Sequence, residues 1–151
     1  MVTAAVAIGS NLGDRQSHLR FARDRLAAFF GHLRVSSARE TVPVGVPSPQ
    51  PLFLNAAAVG ETTQSAHGVL AALLEIERDR GRARPFQSAP RTLDLDLILF
   101  GDEVIEDDRL ILPHPRFRER RFVLEPLVEI APDLRDPVTG LTVRELFAAL
   151  L

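Results

Sequence analysis

Apolar residues recur at two spacings along the chain, and the changes between these spacings divide it into strands and helices. Residues 2–8 and 93–100 carry apolar patterns typical of strands, whereas Leu19, Ala22 and Leu26 repeat at helical spacing. The predicted elements, in chain order, are a strand over 2–8, a helix from an N-cap at Asp14 to Gly31, strands over 34–42 and 52–59, a helix over 65–80 closed by Gly81, a strand over 93–100, a short return strand at 104–105 after a turn at 101–102, and helices over 122–130 and 141–150, the last capped by Thr142.

The order of the elements predicts the fold class. Strand, helix, strand, strand, helix, strand is the split βαβ, ferredoxin-like arrangement. We therefore expect an α+β protein in which a mainly antiparallel sheet is packed between helices as an αβα sandwich. Because no internal repeat or linker interrupts the pattern, we expect residues 1–151 to form a single domain.

Two segments fit neither a strand nor a helix. Residues 43–51 contain four prolines, whose fixed φ angles exclude a helix or a central strand and predict a restricted loop. Residues 82–90 are polar and contain Pro85 and Pro90, which predicts a mobile loop that could close over a site.

Composition narrows the possible functions. The chain has 151 residues, of which 46% are hydrophobic and 25% charged, as in ordinary globular proteins. It has no cysteine, so disulfides, thiolate metal sites and cysteine nucleophiles are excluded, and all 18 basic residues are arginine. No apolar run approaches the ~20 residues of a membrane span, and no basic leader precedes the first strand. We therefore expect a cytoplasmic protein with no membrane partner.

Two acidic residues stand on the most regular predicted strand. Side chains alternate between the two faces of a strand, so Asp94 and Asp96 share one face while the leucines between and beside them take the other. Carboxylate oxygens are hard ligands, and Mg²⁺ is commonly held by one or two of them together with substrate phosphates. Considered alone, the pair is also compatible with a solvated strand face whose charges discourage edge pairing.

Arginine clusters on both sides of the acidic pair favour a phosphate site. Residues 78–91 hold five arginines and one aspartate, and residues 116–121 hold four arginines and one glutamate. Arginine binds phosphate oxygens bidentately, so acids between two such clusters suit a Mg²⁺-polyphosphate. Arg78 and Arg80 are also explained by the helix macrodipole, because they end a predicted helix.

Four short motifs resemble those of the 6-hydroxymethyl-7,8-dihydropterin pyrophosphokinase family. They are Ile8-Gly9-Ser10-Asn11-Leu12-Gly13, Phe53-Leu54-Asn55-Ala56-Ala57, the stretch 91–101 and Pro113-His114-Pro115. The resemblance covers essentially the whole chain. It implies a transferase of folate biosynthesis that moves the β,γ-diphosphate of ATP to the hydroxymethyl oxygen of the dihydropterin and releases AMP, with two Mg²⁺ ions.

The resemblance also implies roles for individual residues. Asp94 and Asp96 match the metal-binding aspartates, and with Arg82 and Arg91 they form the expected catalytic set. The residues matched to the ATP site are Glu77, Arg82, Arg84, Arg91, Arg109, His114 and Arg120. The residues matched to the pterin pocket are Thr41, Phe53, Asn55, Asp94 and Phe122, with the pterin ring held between the two phenylalanines. We place Glu77 at the border between core and surface, because it follows the apolar stripe of its helix.

Two other functions remain open from the residues themselves. A ferredoxin-like, arginine-rich module could bind RNA, although a net charge of −2 and the absence of Tyr and Trp count against it. A two-carboxylate glycoside hydrolase is the other alternative, but flanking arginines suit phosphate better than sugar. We therefore expect ATP and the dihydropterin as small-molecule partners, no nucleic acid, and a monomer.

Overall fold

The computed structural model describes residues 1–42, 52–81 and 92–151. The predicted loops over 43–51 and 82–90 thus lie outside the described residues. The elements are β1 (Val2–Ser10), α1 (Arg15–Phe29), β2 (Gly31–Val35), β3 (Arg39–Thr41), β4 (Phe53–Thr62), α2 (Ala66–Asp79), β5 (Asp94–Phe100), β6 (Ile105–Glu106), β7 (Ile111–Leu112), a 3₁₀ turn (Phe117–Glu119), α3 (Arg121–Ile130) and α4 (Val143–Ala148).

The main sheet has the strand order predicted for a ferredoxin-like fold. Strands follow each other as β2-β4-β1-β5, with β3 also pairing with β4, and every pairing is antiparallel. Helices α1 and α2 each connect two strands that have one other strand between them, as in the split βαβ arrangement. The predicted α+β class is confirmed.

Helices cover both faces of this sheet. Alternate residues of β1 and β4, such as Val6 and Ala56, pack with the buried stripes of α1 and α2. The intervening residues, such as Ala5 and Ala57, pack with Leu124 of α3 and with α4. The molecule is therefore an αβα sandwich, as predicted.

A one-residue bulge lies between β1 and β5. The pairing runs from Ala5↔Leu99 directly to Val6↔Leu97, which makes Ile98 the extra residue. Ile98 and Leu99 consequently both belong to the layer between the sheet and α3, while Leu97 and Leu95 belong to the layer between the sheet and α1 and α2.

The predicted helix starts are confirmed by their caps. The Asp14 carboxylate accepts a hydrogen bond from the Ser17 N–H, and the Ser65 hydroxyl accepts one from the Gly68 N–H. Thr142 and Glu145 form a reciprocal capping box at α4. Gly81 follows α2 with φ of +78°, a conformation that glycine adopts without steric cost. The last helix is shorter than the predicted 141–150, because it ends at Ala148.

The prediction of one strand over 34–42 is wrong, because two strands occupy this region. β2 pairs with the second half of β4 and β3 with its first three residues. Between them, the Ser36 N–H donates to the Ala57 carbonyl, and the Ser36 hydroxyl accepts from the Ala57 N–H and donates to the Ser37 carbonyl. A serine side chain thus replaces part of the ladder and breaks the strand.

The predicted return strand at 104–105 is also placed differently. Ile105 and Glu106 form β6, which pairs with β7 in a separate two-stranded sheet and not with β5. Asp107 makes the intervening turn, since its carboxylate accepts the N–H groups of Arg109 and Leu110. None of the helices in the described part of the chain is long and apolar enough to cross a membrane.

Candidate active site

The candidate site begins as two rows of side chains across the α3 face of the sheet. The register places Asn55, Gly9 and Asp94 in one row, and Ala57, Ala7 and Asp96 in the next. Directly paired residues project to the same face, so glycine and alanine of β1 separate the amide on β4 from the acids on β5. The small residues of β1 therefore leave a shallow depression between Asn55 on one side and the two aspartates on the other.

Asp94 and Asp96 occupy the face that the sequence predicts. Both are half-buried, whereas Leu95 and Leu97 are buried on the opposite face against α1 and α2. Alternation along β5 sets their Cα atoms about 6.6–7 Å apart. The prediction of a shared face is confirmed.

Glu77 lies deeper than predicted. It is only 3% exposed, and one of its carboxylate oxygens accepts a hydrogen bond of 2.7 Å from the Leu95 N–H. The expectation of a residue at the border of core and surface is wrong, because α2 packs directly against β5 at this turn of the helix. Glu77 thereby supports the peptide that lies between the two aspartates.

His114 enters the site from the segment after β7. Its backbone N–H donates to the Ile98 carbonyl at 2.9 Å, which ties this segment to β5. Burial and the nearby Arg120 guanidinium lower the pKa of His114 to about 4, although the charge of Asp94 acts in the opposite direction. The ring is therefore neutral at pH 7. Because Nδ1 accepts the Arg116 N–H, the ring hydrogen is assigned to Nε2, which can donate to an anion.

A cavity of about 280 Å³ lies between Asp96 and the segment that carries His114. Asp96, Arg109 and His114 line it together with apolar residues of β5 and α2. Arg109 reaches it from the turn that Asp107 makes.

Asp107 is held by several hydrogen bonds. His67 of α2 contacts its carboxylate at 2.8 Å. Hydrogen bonds from the Arg109 and Leu110 N–H groups and from His67 lower the pKa of Asp107. The sequence reasoning missed Asp107, although aspartate is a frequent turn residue because its carboxylate can accept the backbone N–H two residues further on.

The arginines of the two clusters do not all reach the cavity. Arg80 donates to His18 and to the Ser17 hydroxyl, so it joins α2 to α1. In the second cluster, Arg118 is paired with Asp136 and Arg121 with Glu125. Arg120 lies over the Phe122 ring, 5.5 Å from its centroid, and its charge acts on His114. Arg82, Arg84 and Arg91 lie outside the described residues.

Thr41, Phe53 and Asn55, three of the residues matched to a pterin pocket, lie at the β4 end of the first row. Thr41 pairs with Phe53 across β3 and β4, and the Thr41 hydroxyl donates to Oδ1 of Asn55. This bond orients the Asn55 amide, whose Nδ2 lies beside Gly9. A Cβ at Gly9 would approach Asn55 Nδ2 to 3.2 Å and the Phe53 ring to 3.6 Å. Phe122 is half-buried on α3 and packs on the same face of the sheet.

Within residues 1–42, 52–81 and 92–151, no group of three or more His, Cys, Asp or Glu side chains could hold a metal ion. The pair Asp94 and Asp96 nevertheless offers the oxygen ligands that Mg²⁺ uses together with substrate phosphates. These residues therefore fit a metal that is bound jointly by protein and nucleotide.

The sequence matches one protein family over most of its length. Residues 5–132 match the family model of 7,8-dihydro-6-hydroxymethylpterin-pyrophosphokinase. The chain is 42% identical over 151 residues to the 2-amino-4-hydroxy-6-hydroxymethyldihydropteridine pyrophosphokinase of Methylorubrum extorquens, covering 99% of this chain and 94% of that protein. It is 43% identical over 142 residues to the Bacillus subtilis protein of the same name, covering 91% and 83% of the two chains.

Solved structures with the same fold are more distant in sequence. A crystal structure of an HPPK-DHPS in complex with substrates aligns with a TM-score of 0.78 at 12% identity over 98% of this chain. A structure of HPPK-DHPS from Plasmodium falciparum aligns with a TM-score of 0.79 at 14% identity over 98% of this chain. This chain spans 43% and 45% of those longer chains, and at such identities the likeness is one of fold. From the matched family and the full-length relatives, the chain belongs to the 7,8-dihydro-6-hydroxymethylpterin-pyrophosphokinase family.

Proposed function

We propose that this pyrophosphokinase-family transferase moves the β,γ-diphosphate of ATP to the hydroxymethyl oxygen of 6-hydroxymethyl-7,8-dihydropterin and releases AMP. The observation that carries the proposal is the pair of rows across β4, β1 and β5. They set an oriented amide beside an aromatic ring at one end and two carboxylates at the other, where a cavity is lined by Arg109 and His114. A pterin and a polyphosphate could thus meet at Asp94 and Asp96.

The carboxylates of Asp94 and Asp96 are proposed as the protein ligands of two Mg²⁺ ions. Bound magnesium supplies charge neutralisation for the phosphates and lowers the proton affinity of the attacking hydroxyl. Glu77 supports this pair through the Leu95 N–H, which limits movement of the strand between the two acids. Its proposed role in the ATP site is therefore to fix the backbone that carries the ligands.

The ATP phosphates are proposed to bind along the cavity that Arg109 and His114 line. The His114 Nε2–H can donate to a phosphate oxygen, because the ring is neutral and Nδ1 already accepts a hydrogen bond. Arg120 adds a positive charge next to His114. Arg82, Arg84 and Arg91 complete the proposed set on the strength of the family resemblance. Arg82 and Arg91 would stabilise charge that develops on the bridging oxygen and the transferred group.

The pterin is proposed to lie between Phe53 and Phe122, above Gly9. Offset stacking on aromatic faces contributes about 0.5–1.5 kcal/mol per good pair beyond buried area. Asn55 offers its Nδ2 hydrogens to a carbonyl of the ring, because Thr41 occupies Oδ1. This arrangement would direct the hydroxymethyl group toward Asp94, which shares the row with Asn55.

We further propose that residues 1–151 act as one domain and as a monomer, without nucleic acid or membrane partners. A cytoplasmic location is part of the proposal, since the reaction uses ATP and needs no oxidising compartment. Neither the matched family nor the relatives indicate the RNA-binding alternative.

The direct test incubates the protein with ATP, Mg²⁺ and 6-hydroxymethyl-7,8-dihydropterin and measures AMP. Asp96→Ala should lower turnover about a hundredfold or more, as loss of a group that stabilises developing charge typically does. Asp133→Asn is the matched control, because Asp133 is an exposed acid that pairs with Arg144 away from the cavity. Normal AMP release by Asp96→Ala would refute the role of the acids. Retention of labelled RNA on a filter, without AMP formation, would favour the binding module.

A further inference from the structure

A buried carboxylate lies beneath the segment that carries His114 and Arg120. Asp136, in the connection between α3 and α4, is 0% exposed. Its two oxygens accept hydrogen bonds from Arg118 Nε at 2.5 Å, Arg118 Nη2 at 3.0 Å, the Val138 N–H at 3.0 Å and the Thr139 hydroxyl at 2.7 Å. Such a carboxylate is fixed from several sides, so it can act as an anchor for the arginine.

Arg118 connects this anchor to the candidate nucleotide site. It lies in the middle of the 3₁₀ turn, and its guanidinium is 4.9 Å from the centroid of the fully buried Phe117 ring. The Phe117 N–H donates to the His114 carbonyl, and the Phe117 carbonyl accepts the Arg120 N–H. One turn of backbone thus holds His114 on one side and Arg120 on the other.

The two ends of this turn are fixed independently of each other. On one side, the His114 N–H is bound to β5. On the other side, the Arg120 carbonyl accepts the N–H groups of Val123 and Leu124, so Arg120 forms the N-terminal cap of α3. Between these ends, the turn is held by the buried Phe117 ring and by the bidentate bond between Arg118 and Asp136.

We infer that Arg118 and Asp136 are positioning residues for ATP, which set the placement of Arg120 and His114 without contacting the nucleotide themselves. The inference rests on the proposed function, because it assigns the phosphates to those two residues. It also explains why an arginine from a basic cluster has its Nε and Nη2 bound to a buried carboxylate.

The test measures ATP affinity separately from turnover. Equilibrium binding of a fluorescent ATP analogue in the presence of Mg²⁺ is compared for the wild type, Arg118→Gln and Asp136→Asn. Each substitution should weaken binding about tenfold, as expected for displacing one hydrogen bond to a charged group. The double variant should bind about as weakly as either single variant, because both changes break the same contact. Arg118→Lys, which keeps a charge toward Asp136, should recover part of the affinity.

Two matched variants separate positioning from general destabilisation. Thr139→Val removes one hydrogen bond from Asp136 but leaves the Arg118 contact, and Arg144→Gln breaks the exposed ion pair that Arg144 of α4 makes with Asp133. Both should bind the analogue like the wild type, even where thermal denaturation shows that Thr139→Val is as destabilised as Arg118→Gln. In the folded Arg118→Gln protein, KM for the dihydropterin at saturating ATP should stay within about twofold of the wild-type value.

The outcomes distinguish this inference from the proposed function. Wild-type binding by Arg118→Gln and Asp136→Asn, in a protein that releases AMP normally, would overturn the inference alone. Equal losses of affinity in Thr139→Val and Arg118→Gln would also overturn it, since both would then reflect loop stability. A wild-type protein that releases no AMP would instead refute the proposed function.

Discussion

Gly9 lies between Asn55 and Asp94 in the candidate site, where its lack of a side chain leaves room for the Asn55 amide and the Phe53 ring. A Cβ at this position would lie 3.2 Å from the Asn55 amide and 3.6 Å from the Phe53 ring. Gly9→Ala should therefore displace Asn55 and raise KM for the dihydropterin roughly tenfold, a loss of about 1.4 kcal/mol. Steady-state kinetics with each substrate varied in turn would measure this effect, and KM for ATP should change little.

The matched control for Gly9 is Gly31→Ala in β2. A Cβ there would meet only the Glu61 carbonyl oxygen at 3.8 Å, an ordinary van der Waals distance. This variant should keep both KM values. If Gly9→Ala also kept them, the pterin would not lie above Gly9.

His114 should make the stability of the free protein depend on pH. Its pKa is lowered from 6.5 to about 4 in the folded state, first by burial and then by the Arg120 charge. Between these values the unfolded chain binds more protons than the folded chain, so this contribution is complete above pH 6.5 and is lost as the pH falls toward 4. After allowance for partial solvent exposure, the loss amounts to roughly 1–2 kcal/mol.

Urea denaturation at pH 7 and pH 4.5, without nucleotide and with EDTA, measures this dependence. His114→Gln should remove the part of the stability loss that belongs to this ring. His67→Gln is the control, because His67 is an exposed histidine that pairs with Asp107 on the surface. The same pH dependence in His114→Gln and in the wild type would contradict the buried, neutral ring.

At the level of elements, α1 depends on a close approach to β4. A Cβ at Gly60 would lie 2.6 Å from Cβ of Phe30, the C-cap residue that follows α1. Gly60→Ala should therefore force the end of α1 away from the sheet and lower the free energy of unfolding by about 1–3 kcal/mol. Chemical denaturation would measure the change, with Gly31→Ala again as the uncrowded control. An unchanged midpoint would show that the helix end moves freely.

Helices were easier to predict than strand breaks. The caps at Asp14, Ser65 and Thr142 are hydrogen bonds between residues close in sequence, so the local sequence is sufficient to predict where these helices begin. The break at Ser36 depends on a bond to Ala57, which only the paired strand supplies. Likewise, β6 pairs with β7 because Asp107 turns the chain. The apolar pattern around residue 105 does not indicate whether this strand pairs with β5 or with β7.

For the whole molecule, binding of ATP and Mg²⁺ at an intact site should raise the thermal stability of the folded protein. At an ATP concentration of 100 times Kd, binding stabilises the folded state by about 2.7 kcal/mol. For a chain of this size that corresponds to a rise in Tm of roughly 5–10 °C. Thermal denaturation with Mg²⁺ and ATP should give this rise in the wild type. EDTA, or the double substitution Asp94→Asn with Asp96→Asn, should abolish most of it, and an equal rise in their presence would exclude a metal-dependent nucleotide site.

The sequence indicates which residue types the site uses, but not how strands bring them together. Alternation along β5 correctly places Asp94 and Asp96 on one face. In contrast, the row from Asn55 to Asp94 depends on the register of three strands, which are far apart in sequence. The pairing of Arg118 with Asp136 is similarly nonlocal, so charge counting alone assigns Arg118 to the phosphate cluster.

The bulge at Ile98 decides which side of the sheet receives the two carboxylates. Leu99 and Phe100 pair with β1 in the register of Ala5↔Leu99. On the other side of the bulge, residues 94–97 pair in the register of Val6↔Leu97. If the same residues paired without the bulge, every side chain from Asp94 to Leu97 would project from the opposite face of the sheet. Both acids would then enter the apolar layer under α1 and α2, and Leu95 and Leu97 would project from the α3 face of the sheet instead. A single irregular peptide unit thus determines whether this strand presents charge or hydrocarbon to its substrates.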